Sequence, residues 1–236
     1  MTKKIELKAI DLFAGIGGLR LGFEAYGCKT VFSSEWDKFA QQTYQANFGD
    51  VAYGDITKID EKDIPSFDVL LAGFPCQPFS QAGLKKGLAD TRGTLFFDVA
   101  RIINHHRPRV VLLENVKNLQ SHDKGRTFDV IRRTLEDALG YQVFFKVIDG
   151  AHFVPQHRER ILIVGFREPV SFDWDQVDLP EKGMHTLSEV LHKKSGEPFI
   201  DMDGDRYYDH KAKKVLDQYT LTDNLWAYLQ NYKKKH

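Results

Sequence analysis

Two short apolar runs constrain this chain more than any other feature: "FDVLLAG" at 67–73 and "RVVLLEN" at 109–115. Neither alternates polar with apolar residues, so neither suits a sheet with one wet face. Such runs belong to central strands covered on both sides. Between them, "TLFFDVARIINHH" sets Leu95, Phe96, Val99, Ile102 and Ile103 along one helical face. The alternation begins earlier, with "LKAIDLF" (7–13) as a strand, "AGIGG" as a tight turn and "LRLGFEAYG" as a helix ending at Gly27. "KTVFSSE" (29–35) reads as the next strand and "DKFAQQTYQANFG" as the next helix, stopped by Gly49. "TFDVIRRTLEDALG" repeats the helical pattern with Phe128, Ile131, Leu135 and Leu139, and "YQVFFKVI" and "RILIVGF" read as later strands. This order predicts an α/β fold with a doubly wound, mostly parallel sheet.

The totals narrow the classes. The chain has 236 residues, enough for one large domain or one domain with an appendage. Lys+Arg and Asp+Glu are both 33, so binding to nucleic acid by global charge is disfavoured, while a local basic cleft is not. No run approaches the about 18 apolar residues of a membrane helix, and the N-terminus lacks an apolar signal core. Two distant cysteines, Cys28 and Cys76, make neither a disulfide framework nor a metal site, so a cytoplasmic protein with reduced thiols is expected. The histidines match no ligand spacing. "DMDGDRYYDHKA" (201–212) fails as a calcium loop, with Arg206 at the glycine position and Ala212 at the glutamate position. No metal is expected.

In doubly wound sheets, ligands sit beyond the carboxyl ends of the strands. Those ends carry Gly15, Gly17 and Gly18, then Glu35 and Trp36, then Asp55, then Pro75 and Cys76, and finally Glu114 and Asn115. A glycine turn followed by an acid at the next strand end suits a nucleoside pocket, with Trp36 and Phe13 placed to sandwich a base. The spacing Gly-x-Gly-Gly departs from the dinucleotide fingerprint. Taken alone, Glu114 fits a strand-end acid bonded to a loop as well as it fits catalysis. Arg158 and Arg160 in "QHRERI" fit a solvated charge run equally.

Cys76 stands in "GFPCQPFS" (73–80), stiffened by Pro75 and Pro78. A zinc deaminase would need a second cysteine where Phe79 stands. A cysteine hydrolase would need an adjacent base histidine, and none is assigned. Methylation of a pyrimidine carbon fits best. A thiolate adding to C6 of cytosine turns C4–C5 into an enamine, an acid protonating N3 assists that addition, and C5 then attacks a sulfonium methyl group.

Here the chain resembles a known family, the DNA cytosine-C5 methyltransferases of bacterial restriction–modification systems. "DLFAGIGG" (11–18), "SEWD" (34–37), "GDI" (54–56), "GFPCQPFS" (73–80), "DTRGTLFFDVARI" (90–102), "ENVKN" (114–118) and "PQHRERI" (155–161) follow that family's order and spacing over about 7–167. The resemblance implies the Rossmann-like fold of S-adenosylmethionine-dependent methyltransferases, with S-adenosyl-L-methionine as cofactor and S-adenosyl-L-homocysteine as product. It implies Cys76 as the nucleophile, Glu114 as the N3 proton donor and Arg160 at the cytosine carbonyl, with Arg158 and Asn115 nearby. It also implies a cofactor pocket lined by Phe13, Gly15, Gly17 and Gly18. There Glu35 takes the ribose hydroxyls, Trp36 packs on adenine, Asp55 and Ile56 read its edge, and Pro75 and Leu95 border the methionine part. Duplex DNA is the implied substrate, its cytosine flipped out of the helix. Gln77, Ser80, Lys85, Lys86 and Arg92, in and beside a closing loop, are the implied DNA contacts.

Past residue 167 the resemblance thins. Residues 1–167 are expected to form the catalytic domain, and 168–236 an extension leading towards a target-recognition region that is not present. A second polypeptide is the expected source of that region. A transfer-RNA cytosine methyltransferase and an inactive cofactor- or DNA-binding remnant are the alternative readings.

Overall fold

The two continuous apolar runs lie side by side at the centre of a six-stranded sheet. In the computed structural model, which describes residues 6–75, 95–189, 208–209, 211, 214–215 and 221–235, the chain divides into two compact units, Met1–His185 and Thr186–His236. The first unit contains β1 (Lys8–Leu12), α1 (Gly18–Glu24), β2 (Lys29–Ser34), α2 (Lys38–Phe48), β3 (Val69–Ala72), α3 (Leu95–His106), β4 (Val110–Val116), α4 (Arg126–Arg133), β5 (Gln142–Asp149) and β6 (Glu159–Phe166). The strand order is β2-β1-β3-β4-β6-β5. β1 pairs in parallel with β2 and β3, and β3 with β4, while β6 runs antiparallel to both β4 and β5.

Side chains alternate between the two faces of this sheet. Ile10, Leu12, Leu70, Ala72, Val111 and Leu113 pack on one face against Phe96, Val99, Ile102 and Ile103 of α3 and Ile131 of α4. Ala9, Val69, Leu71 and Leu112 face the other way, towards Leu19 and Phe23 of α1. Both faces are therefore dry, which is why these strands carry no polar alternation. Phe96 is 2% exposed, while Phe97 and Phe128 pack on the core's edge.

The helical pattern expected over 127–140 changes character after Arg133. Thr134–Ala138 form a π turn, and the Leu139 N–H donates to the Thr134 carbonyl at 3.0 Å. The wider turn still buries Leu135 and Leu139. Asp37 caps α2 by accepting from the Phe39 and Ala40 N–H groups, and Gly49 ends it at φ +73.

In the second unit, β7 (Tyr208–Asp209) pairs with β8 (Lys214–Val215), and α5 spans Asp223–Lys235. Leu225, Trp226 and Tyr228 are exposed. Among the described residues no helix is long and apolar enough to cross a membrane.

Candidate active site

Because β1–β4 are parallel, their carboxyl ends share one rim, and the glycine turn, Glu35 and Glu114 lie at those ends. β1 ends at Leu12, and the chain turns through Phe13 at φ +56, Gly15 at φ +56 and Gly17 at φ +92. Left-handed backbone is ordinary for glycine and uncommon for phenylalanine. The Gly17 N–H donates to the Ala14 carbonyl at 2.8 Å, and the Ala14 N–H donates to Ser34 at 3.0 Å, tying the turn to β2. A Cβ on Gly15 or Gly18 would meet nothing within 4 Å, whereas one on Gly17 would stand 2.0 Å from the Phe48 ring. Gly15 and Gly18 thus leave open space at the turn, and Gly17 makes room for α2.

Glu35 follows β2 and is 8% exposed. Its Oε2 accepts from the Gly15 N–H at 2.8 Å and its Oε1 from the Asp37 N–H at 2.9 Å. Each oxygen keeps a lone pair for a further donor. Trp36, next to it, is 78% exposed and offers a free aromatic face. A single parallel bridge joins Ser34 to Tyr53 and brings Asp55 and Ile56 to the same edge. Asp55 Oδ1 accepts from the Thr57 hydroxyl and, to lesser effect, the Thr57 N–H, which lowers its pKa below the usual carboxylate range. The Ile56 side chain is buried in the core, and its carbonyl accepts from Arg101 at 2.7 Å.

Beneath the glycine turn lies Asp11, a residue to which the sequence assigned no role. It is 1% exposed, and neither carboxylate oxygen has a hydrogen-bond partner among the described residues. Burial pushes its pKa up to about 7; the Arg20 backbone N–H and guanidinium pull it down, and nearby Glu35 pushes it further up.

At the ends of β3 and β4, Glu114 meets Arg160. A Cβ built on Gly73 would lie 3.5 Å from Glu114 Oε2 and 4.0 Å from the Phe13 carbonyl, so three strand ends converge there. Arg160 Nε stands 2.9 Å from Glu114 Oε1. Asn115 is 2% exposed and spent internally: its Nδ2 donates to the Phe74 carbonyl at 2.7 Å, and its Oδ1 accepts from the Val116 N–H at 2.9 Å. It therefore anchors the backbone at Phe74, just before Pro75. Pro75 is exposed and Leu95 half-buried. Cys76, Gln77, Ser80, Lys85, Lys86 and Arg92 lie outside the described residues.

Arg158 is exposed, and no ion pair or hydrogen bond of its guanidinium is found among the described residues. A groove of about 310 Å³ runs beside it, lined by Lys117, Asn118, His157, Arg158, Glu159 and Arg160 among others. Behind the groove, Asp149 at the end of β5 accepts from the Ala151 and Arg158 N–H groups, from His157 Nδ1 at 2.8 Å and from Lys182 Nζ at 3.2 Å. These donors hold its carboxyl far below the usual range, the Ala151 N–H most of all. The signal that flagged Asp55 and Glu114, an acid at a strand's carboxyl end, marks Asp149 too.

Comparison with known proteins places the chain. Residues 7–236 match the family model of C-5 cytosine-specific DNA methylases. Over 221 residues, 93% of this chain and 53% of the relative, it is 53% identical to the type II methyltransferase M.SsoII of Shigella sonnei. Over 185 residues, 78% of this chain and 57% of the relative, it is 60% identical to M.NgoBI of Neisseria gonorrhoeae. The chain thus spans little more than half the length of these relatives. The S. pombe Dnmt2 methyltransferase structure shares the fold at a TM-score of 0.63 and 21% identity, over 80% of this chain and 62% of that one. On the family match and these identities, the chain belongs to the C-5 cytosine-specific DNA methylase family.

Proposed function

We propose that this chain supplies the cofactor pocket and catalytic rim for methyl transfer from S-adenosylmethionine to C5 of a flipped-out cytosine in duplex DNA. The observation that carries the reading is the convergence of Phe13, Gly73 and Glu114, with Arg160 on Glu114 and Asn115 on the Phe74 carbonyl.

The residues present fit the cofactor. Glu35 retains lone pairs for two ribose hydroxyls, Trp36 presents a free ring for adenine, and Gly15 leaves an unfilled cradle at the turn. When bound, S-adenosylmethionine supplies an electrophilic methyl group on a sulfonium sulfur. Phe13, Asp55, Ile56, Pro75 and Leu95 complete the walls of this pocket.

On the DNA side, Arg160 takes the cytosine carbonyl and holds Glu114 by one oxygen, leaving Oε2 to carry a proton to N3. The Cys76 thiolate would add to C6 as Glu114 protonates N3; the resulting enamine would take the methyl group at C5 as the methyl–sulfur bond breaks, leaving the thioether S-adenosylhomocysteine. Water would then take the C5 proton as the C6–S bond breaks to release the thiolate, and N3 would return its proton to Glu114. A free thiol has a pKa of about 8.5, so the site must favour the thiolate or the addition step. Asn115 keeps the preceding backbone in place, and Lys85, Lys86, Arg92, Gln77 and Ser80 contact the DNA. The relatives lend no support to the second polypeptide expected from the sequence, and methyl transfer is assigned to this chain's own rim.

The test is incubation of the purified chain with methyl-labelled S-adenosylmethionine and mixed-sequence duplex DNA, with transfer RNA and Cys76→Ala as comparisons. Label in DNA that depends on Cys76 is expected. Label in transfer RNA alone would replace the DNA reading, and a folded chain that binds cofactor but labels neither would favour the inactive remnant.

A further inference from the structure

The basic groove beside Arg160 has a feature that methyl transfer does not use. His157 is 74% exposed on its lip, yet its ring is held from behind by a nearly buried carboxylate, Asp149, whose side chain is 4% exposed. Because a carboxylate only accepts, the ring nitrogen facing it, Nδ1, must carry the proton. In the neutral ring the other nitrogen, Nε2, is then a bare acceptor turned outward. A second proton converts Nε2 into a donor and the ring into a cation. The Asp149 carboxylate stays ionised while this happens, because two backbone N–H groups and Lys182 also bond to it.

We propose that His157 is a proton-dependent phosphate contact: the groove of Lys117, His157 and Arg158 takes a phosphodiester of the DNA strand entering the rim, and affinity there requires the Nε2 proton. The inference rests on the reading that DNA enters this rim, and it deepens that reading by naming the ligand of the groove. Arg158, unpaired among the described residues, supplies permanent charge. Lys117 is tied by its Nζ at 2.8 Å to Glu159. The charged groups around His157 are Asp149 at the end of β5, Lys182 from the segment after β6, Arg158, Glu159 and Arg160 on its own segment, and Lys117 after β4. Glu159 Oε2 is 3.9 Å from Nε2, too far for a hydrogen bond, so that nitrogen remains available to an incoming oxygen.

A phosphate and a proton that bind together must each strengthen the other's binding. The experiment is fluorescence anisotropy of the full chain with a labelled mixed-sequence duplex at constant salt, from pH 6 to 8. Wild-type affinity is expected to fall about tenfold across that range. His157→Gln should bind at every pH as the wild type does at pH 8, and His157→Lys should bind tightly with little pH dependence. Unaltered pH dependence in His157→Gln, or a wild type whose affinity does not change with pH, overturns the inference and leaves the DNA reading standing. A folded chain that binds no duplex at any pH overturns both.

Discussion

Arg160 Nε stands 2.9 Å from Glu114 Oε1 across the antiparallel pairing of β4 and β6. Glu114 lies opposite Leu162 and Arg160 opposite Val116, so the two side chains are diagonal neighbours on one face. The reversed strand therefore brings a cation from "QHRERI" to the end of a strand more than forty positions earlier in the chain. Glu114→Gln keeps the shape and removes the transferable proton, so kcat is expected to fall by about 10²–10⁴. Because both side chains are partly exposed, stability is expected to change by less than about 1 kcal/mol. Labelled methyl transfer and urea unfolding, run on the same preparation, check both halves.

Asn115→Ala should behave differently. It strands the buried Phe74 carbonyl and the Val116 N–H, at a cost of about 1–3 kcal/mol. It also loosens the backbone leading into Cys76, so kcat falls with cofactor affinity little changed. Isothermal titration with S-adenosylmethionine separates the two effects.

Gly15 and Gly17 predict opposite outcomes for the same substitution. Gly17→Ala drives a Cβ into the Phe48 ring and strains a φ of +92, so its main effect is lower stability, partly relieved by Phe48→Ala. Gly15→Ala meets open space, costs about 1–2 kcal/mol for its φ of +56, and fills the cofactor cradle. Thermal unfolding with and without cofactor should show cofactor stabilisation lost in Gly15→Ala and retained in Gly17→Ala.

Asp11 makes stability depend on pH. Its carboxyl titrates near 7 in the fold and at 3.8 in the open chain, so between those values the fold holds a proton that the unfolded chain has released. Its contribution is fully present below about pH 4 and is lost as pH rises through 7. Asp11→Asn removes this dependence, and its advantage over wild type should widen by on the order of 2–3 kcal/mol between pH 5 and 8. Denaturant unfolding of both proteins at the two pH values checks the sign.

The strands were legible because β3 and β4 are dry on both faces and had to be continuously apolar. The glycine turn, Glu35 and Glu114 were legible because parallel strands present their carboxyl ends on one rim. The direction of β6 was not, since hydrophobic periodicity carries no sense of direction, and with it went the Arg160–Glu114 contact. The π turn after Arg133 hid inside a helical pattern because Leu135 and Leu139 stay buried either way. The resemblance set Asn115 near the catalytic residues, and its buried bond to the Phe74 carbonyl adds an anchoring part that the sequence alone does not show. Asp11 was quoted within a motif, but burial without partners leaves no mark in a sequence.

The decisive measurement is of a covalent bond between Cys76 and C6 of the base. A duplex carrying 5-fluorocytosine offers the same C6 to a thiolate, but its C5 fluorine does not leave as a proton does, so an adduct formed at C6 persists. With S-adenosylmethionine present, mass spectrometry is predicted to find one chain joined to one DNA strand through Cys76, and none in Cys76→Ala. Absence of an adduct from a chain that binds both cofactor and duplex, or an adduct that survives Cys76→Ala, would contradict it.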